Sequence, residues 1–388
     1  MTTRAMPGAA AIYWTAFVGL FFDYYDLYLF VYLERALVAH FGLSAAESNW
    51  LQFTGLAGVG VGALAFGFLA DRFGRGRVML VVFGVYFAGI AGISLAWDLP
   101  SLLVARLVAS LALGAEWGIS HTYLAERVTG AARYRFSAWL QFSILGGLLA
   151  AFAARYALPV LGWRALFALS IVPVAVLSVL RWRALAEGDG AVARSVSGAG
   201  WRLWRANLPA FLACLGLASL TIASGTVNVY YAKELPQSPL YTALFWLAVA
   251  PGMLLGAWLV ACCGVRRALL LYAVALTALS LVCWSLAWSG RNLLFALCLP
   301  LLNGIPFGLM GAFFNEVFAE YRTMLSGAAY NLGRILAGFS PVLITALGLN
   351  AGGNYFVFTA LVGLGVALLA GGLTAFTPAA SVAVRRED

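Results

Sequence analysis

Charge is the scarcest ingredient of this sequence: Asp, Glu, Lys and Arg together make up 10% of its 388 residues, where a water-soluble domain carries about a quarter. So small a share cannot coat a soluble domain of this length. Cysteine is also sparse, and Cys214, Cys262, Cys263, Cys283 and Cys298 fall in apolar stretches without metal-ligand spacing. That pattern argues against a zinc site or a disulfide framework and leaves them as small core residues. No His/Asp or Asp-rich cluster with catalytic spacing stands at the end of an apolar run, which argues against an integral membrane enzyme such as an acyl or prenyl transferase. The formal charge of +9 comes from arginines scattered through short loops. No basic domain exists to hold a phosphate backbone, so nucleic acid is not an expected partner. Nothing calls for a metal or an organic cofactor. No cleavable leader is expected, since Met1 to Gly8 carries one arginine and runs into an apolar segment long enough to span.

What is abundant is apolar surface. Hydrophobic residues make up 63% of the chain and the mean hydropathy is +0.92, which places it in lipid. Its 42 glycines read as positions where helices approach closely. A helix needs about 20 apolar residues to cross the hydrocarbon, and runs of that length predict spans at 11–34, 47–71, 77–97, 100–126, 134–157, 161–184, 207–232, 240–263, 267–288, 292–318, 324–348 and 352–376. With the N-terminus inside, seventeen basic residues face the cytoplasm, five face outward, and Arg106 and Arg334 fall within spans. The positive-inside rule therefore puts both termini in the cytoplasm. The expected fold is an all-α membrane protein of twelve helices in two six-helix bundles, residues 1–184 and 207–388, joined by a polar cytoplasmic linker at 185–206. A monomer in the cell membrane, inner or plasma, is the expected form.

The halves repeat. Gly114-Ala-Glu-Trp-Gly118 followed by Glu126 recurs as Gly304-Ile-Pro-Phe-Gly308 followed by Glu316, an offset of 190 residues. Arg133 and Ser137 recur as Arg322 and Ser326, and Gly67 and Gly74 correspond to Gly256 and Gly264. Duplicated six-helix units are the architecture of many secondary transporters, whose substrate site lies between repeats near the midplane.

Gly67-Phe-Leu-Ala-Asp-Arg-Phe-Gly-Arg-Gly-Arg77 resembles the signature between helices 2 and 3 of the major facilitator superfamily. Within that family, Asp23-Tyr-Tyr-Asp26 in span 1, Gly114 to Gly118 in span 4 and Tyr330-Asn-Leu-Gly-Arg334 in span 11 resemble the organic-acid:proton symporters, among them the metabolite, sialate/lactate and aromatic-acid branches. The resemblance implies the major facilitator fold and alternating access. Gly256-Ala-Trp-Leu-Val-Ala-Cys-Cys-Gly264 departs from the signature by lacking an aspartate, so a gate built there is expected to be asymmetric.

An ionisable side chain at the centre of a span costs about 2.5–3.5 kcal/mol, so each is a functional candidate. Asp23 and Asp26 share one face of span 1, roughly 16 and 12 Å below its outer end by helix rise. Arg106 lies about 9 Å below the outer end of span 4, a depth compatible with an Asp26–Arg106 contact. The acids are candidates for proton coupling, with a permanent ion pair to Arg106 as the structural alternative. Glu116 is a third candidate, equally able to hold span 4 to a neighbour. His121, nearer the cytoplasmic end, reads as a hydrogen-bonded packing residue. Arg334 sits about 15 Å into span 11, with Tyr330 and Asn331 one turn before it. No acid lies in spans 11 or 12, so its anion is the substrate or a residue on another helix, Glu116 or Asp23. A guanidinium fork suits a carboxylate. The expected substrate-binding residues are Arg334, Arg106, Asn331, Tyr330 and Gln141. Thr221, Ser224, Thr226 and Asn228, leading to Tyr230 and Tyr231 in span 7, can serve a substrate or join helices.

Acids and bases also gather where the spans end: Asp71 with Arg72, Arg75 and Arg77; Glu126 with Arg133; Glu316 and Glu320 with Arg322. The resemblance implies a cytoplasmic gate that locks the halves in one state. The expected function is proton-coupled symport of a small organic anion, with proton, substrate and lipid as partners. An exporter or uncoupled facilitator of the same fold is the alternative, and an anion channel fits the duplicated halves less well.

Overall fold

The computed structural model describes residues 9–128, 130–186, 201–225, 247–286, 293–318, 320–349 and 354–372. Thirteen helices run through them: α1 (Ala9–Phe41), α2 (Ala45–Phe73), α3 (Arg75–Leu95), α4 (Leu99–Ala125), α5 (Ala131–Ala168), α6 (Ile171–Ala186), α7 (Trp201–Ser224), α8 (Val249–Cys263), α9 (Val265–Ser285), α10 (Leu293–Val317), α11 (Arg322–Ala337), α12 (Ser340–Ala346) and α13 (Tyr355–Gly372). Among the described residues nine helical stretches are long and apolar enough to cross a membrane; one of them, Ala132–Leu180, covers two of the expected spans. Thr226, Asn228, Tyr230, Tyr231, most of the expected linker and both termini lie outside the described residues.

Local chemistry sets the helix ends. Ser44 and Glu47 form a capping box at the start of α2, and Asp98 and Ser101 do the same for α4, where Pro100 occupies a first-turn site with no hydrogen bond to lose. Gly74 alone joins α2 to α3, with φ +96°, and Gly264 alone joins α8 to α9, with φ +80°. Only glycine takes such angles without a Cβ penalty, so the corner recurs with its residue type. Three expected spans need correction. The first does not stop at 34 but continues as helix to Phe41, taking Arg35 with it. Span 11 is not continuous: the helix breaks at Gly338–Phe339 and restarts as α12, because Pro341 cannot donate the bond that an unbroken helix needs. The sixth span, expected at 161–184, is likewise interrupted: α5 kinks at Gly162, with φ +71°, runs on to Ala168, and α6 restarts at Ile171.

The chain divides into two compact units. The first holds residues 1–127, 142–197 and 320–331; the second holds 128–141, 198–319 and 332–388. In the first unit α4 packs on α2, α3 and α1; in the second α10 packs on α8 and α9, and α13 packs on α9 and α7.

Glycines make these contacts backbone to backbone. A Cβ added at Gly62 would collide with the Leu111 carbonyl, and one at Gly114 with the Val59 carbonyl. The same pairs return 190 residues on, Gly252 against Leu301 and Gly304 against Val249, with Gly308 against Met253 as a further contact. Lipid tails are as apolar as leucine, so helices in a bilayer associate through such close packing and not by escaping solvent. Gly62→Ala is therefore expected to destabilise the protein by about 1–3 kcal/mol, whereas Gly84→Ala, with nothing within 4 Å of the new methyl, is expected to be neutral. Thermal unfolding of the two purified variants checks the contrast.

Candidate functional site

The first unit collects most of the buried charge. Asp23 and Asp26 of α1 are both buried. Asp26 lies 3.0 and 3.2 Å by its two oxygens from the Ser170 hydroxyl, which stands in the turn between α5 and α6 and is also 2.8 Å from the Phe167 carbonyl. That hydroxyl has one proton for two acceptors. When it donates to Phe167, a hydrogen bond to Asp26 needs a proton on the carboxyl; when it donates to Asp26, the carboxylate can be ionised. Arg106 does not form an ion pair with Asp26. Its guanidinium lies 3.6 Å over the Phe30 ring and against Gly55, where a Cβ would be 2.9 Å from two of its nitrogens. It remains close enough to act on Asp26 electrostatically.

Glu116 accepts a 2.8 Å bond from Ser120 one turn along α4, and the same oxygen faces α1 where Gly19 leaves room for it. Trp117, the next residue, stacks on Tyr330 of α11 with ring centroids 3.8 Å apart and planes 5° off parallel; His121 packs 4.5 Å from Trp117. Asn331 donates at 2.9 Å to the Gly114 carbonyl and at 3.1 Å to that of Gly327, and Gly118 meets Gly327 backbone to backbone. Tyr330 and Asn331, expected to contact substrate, thus form the seam between α4 and the first turns of α11. Arg334, one turn on, is half-buried, and no described residue makes an ion pair with it. Gln141 is buried in the second unit.

The loop-end charges sort into two clusters. In the first unit Asp71 pairs with Arg75 at 2.8 Å, Arg75 pairs with Glu126 at 3.0 Å, and the Asp71 carboxylate accepts from the backbone N–H of Thr323 at 3.1 Å and of Met324 at 2.9 Å. In the second, Glu316 accepts from Arg133 at 3.1 Å and from the Tyr134 hydroxyl at 2.6 Å. Arg72, Arg77 and Glu320 are exposed and Arg322 is half-buried. The Gly256–Gly264 stretch, which ends α8, carries no aspartate and contributes no residue to the second cluster.

Sequence reasoning passed over Ser170, Phe30, Trp117 and Tyr134 as partners. Tyr134 had a signal, since it adjoins Arg133; Ser170 is far along the chain from Asp26 and had none. The described span-7 hydroxyls, Thr221 and Ser224, are engaged within the second unit. Thr221 donates to the Leu217 carbonyl at 2.6 Å, and Ser224 bonds Tyr272 at 2.9 Å and Asn303.

Duplicated apolar bundles, with charge buried in the first unit and ion pairs in both, define a polytopic membrane transporter. The chain belongs to the Major Facilitator Superfamily, whose family model matches residues 16–336. It is an integral membrane transport protein and not an enzyme. It is 26% identical over 366 residues to the putative niacin/nicotinamide transporter NiaP of Bacillus subtilis, covering 89% of each chain. To the cis,cis-muconate transport protein of Acinetobacter baylyi it is 27% identical over 352 residues, 85% of each. A niacin transporter NiaP of the same organism is 32% identical over 168 residues, 43% of this chain and 38% of that one. Among solved structures, the proton:xylose symporter XylE bound to 6-bromo-6-deoxy-D-glucose superposes with a TM-score of 0.73 over 95% of this chain and 96% of that one; at 18% identity the likeness is one of fold.

Tyr134→Phe is expected to remove about 1 kcal/mol, and to cost little further in a Glu316→Ala background, where the acceptor is gone. Thermal unfolding across the four proteins of the double-mutant cycle tests the coupling.

Proposed function

We propose that the protein is a proton-coupled symporter of a small organic anion, working by alternating access in the cell membrane as a monomer, with both termini in the cytoplasm. On this reading twelve spans form two halves, 1–184 and 207–388, joined by a cytoplasmic linker. The observation that carries the reading is Arg334: a half-buried guanidinium in the last turn of α11, just before the helix breaks, to which the described residues offer no counter-ion. A carboxylate substrate supplies one, in the bidentate geometry the guanidinium favours. Niacin and muconate, named for the relatives above, are organic acids, which supports the same class. Arg106, Gln141, Asn331 and Tyr330 are assigned to the substrate path. For Tyr330 and Asn331 that role is exercised through the seam with α4, which must loosen for substrate to pass.

Proton coupling is assigned to Asp26, with Asp23 and Glu116 beside it. Two acids three residues apart on one helix face disfavour joint ionisation and titrate as a coupled pair. An anion drawing on the positive field of Arg106 raises the proton affinity of the pair, and by linkage a proton there strengthens anion binding. Ser170 reads the result, since its single proton serves Asp26 or Phe167 according to whether Asp26 carries its own. The cytoplasmic gate is assigned to Asp71, Arg75 and Glu126 with α11, and to Glu316 with Arg133 and Tyr134, while Arg72, Arg77, Glu320 and Arg322 contribute surface charge around it. These ion pairs and amide contacts bias one of two states, as a switching element must.

Arg334→Ala is expected to abolish uptake, and Arg334→Lys to restore little of it, because an ammonium lacks the fork. Uptake of labelled carboxylates into proteoliposomes checks this, and near-normal transport by Arg334→Ala would sink the substrate assignment. Asp26→Asn, a permanent mimic of the protonated acid, is expected to keep counterflow exchange and lose accumulation driven by an imposed pH gradient. Gradient-driven accumulation persisting in both Asp26→Asn and Asp23→Asn would move the proton site elsewhere, Glu116 first. An uncoupled facilitator would show no gradient-driven accumulation even in the parent protein.

A further inference from the structure

We infer that Tyr321 is a positioning residue for the transport cycle: it keeps the first turn of α11 from capping itself, so that Asp71 of α2 must cap that helix from outside. The inference rests on the gate reading above. A helix begins with backbone N–H groups that have no partner within it, and the residue just before the helix ordinarily supplies a Ser, Thr, Asp or Asn oxygen to the second and third of them. Tyr321 holds that place. Its carbonyl accepts the first helical bond, from the Leu325 N–H at 2.9 Å, and α11 starts at Arg322. The second and third amides are therefore those of Thr323 and Met324, and both are taken by the two oxygens of Asp71, at 3.1 and 2.9 Å. A phenol is too long and too rigid to turn back on those amides.

The backbone reinforces the side chain. Tyr321 has φ +46° and is the one non-glycine residue with positive φ among the described residues. A capping residue ordinarily sits in the extended region, so the chain enters α11 from a direction that presents the amides to α2. An L side chain resists that angle, and something must hold it. Phe68 does so: its ring stacks on Tyr321 with centroids 6.0 Å apart and planes 4° off parallel. Beside it, Gly67 brings α2 so near that an added Cβ would lie 2.7 Å from the Met324 Cα. Ring, angle and missing cap act together. While Asp71 is engaged the strained turn is sustained and the amides are satisfied; when it leaves, the amides lose their acceptor and the turn is free to relax.

The test reads the two amides directly. Deuterium uptake at residues 323 and 324 is measured on the purified full chain without substrate, with and without Asp71→Ala, in the parent and in Tyr321→Ser, Tyr321→Asn and Tyr321→Gly. In the parent, Asp71→Ala is expected to raise exchange on the order of tenfold. In Tyr321→Ser and Tyr321→Asn, two independent ways of giving the helix its own cap, Asp71→Ala is expected to change it less than twofold. Tyr321→Gly accepts positive φ but offers no cap, so it is expected to keep the parent's dependence on Asp71. Equal exposure by Asp71→Ala in the parent and in the folded capping variants would overturn the role of Tyr321 while leaving the latch intact. Unchanged exchange in the parent would remove latch and inference together. Loss of protection without any effect on transport would instead overturn the gate reading and leave the capping relation standing.

Discussion

The contact between the backbones of α2 and α4, made possible by Gly62 and Gly114, is what the rest of the first unit hangs on. A membrane offers helices little reason to associate beyond the quality of their packing, and here the packing is as close as two backbones can come. Once α4 is fixed against α2, each residue of its central stretch acquires one neighbour. Glu116 turns to α1, Trp117 and Gly118 turn to α11, and the Gly114 carbonyl receives Asn331. A polar group in this setting has no water to fall back on, so each must find its partner within reach.

The buried charges follow a division of labour that their surroundings explain. Asp26 has a hydroxyl whose proton can go either way, Glu116 has a serine one turn off, and Arg106 has an aromatic face. Arg334 has none of these among the described residues. Permanent partners make good structural groups and poor transport groups, because an ion held by the protein in every state has no affinity left to exchange with a passing substrate or proton. The side chains with incomplete or ambivalent partnerships are the ones on which a cycle can be built.

Much of this was legible from residue order alone. The 190-residue repeat exposed the duplicated packing, the glycines at 74 and 264 announced their corners, and scarce charge among apolar runs marked the side chains to follow. Asp71 and Arg75 come together as their order along the chain suggested, but the repeat set Glu126 beside Arg133, and the structure instead pairs Glu126 with Arg75 and Arg133 with Glu316. What could not be read was direction around a helix axis across long separations. Tyr330 and Asn331 lie one turn from Arg334, yet their side chains serve a seam with α4. Asp26 and Arg106 matched in depth, but depth along the membrane says nothing about azimuth, and Phe30 claimed the guanidinium. The break at Gly338 was signalled by Pro341 and was masked by an apolar run long enough to span without it.

The glycine contacts also determine how such a chain can vary. At Gly62, Gly114, Gly252 and Gly308 a single methyl already strikes a backbone atom, so alanine, elsewhere the mildest replacement, is there nearly as disruptive as a large residue. Tolerance at these sites is a step and not a slope. Lineages can redraw the lipid-facing surface and retune the polar path side chain by side chain, but the two crossings admit no intermediate, and duplication has written that rule into the protein twice.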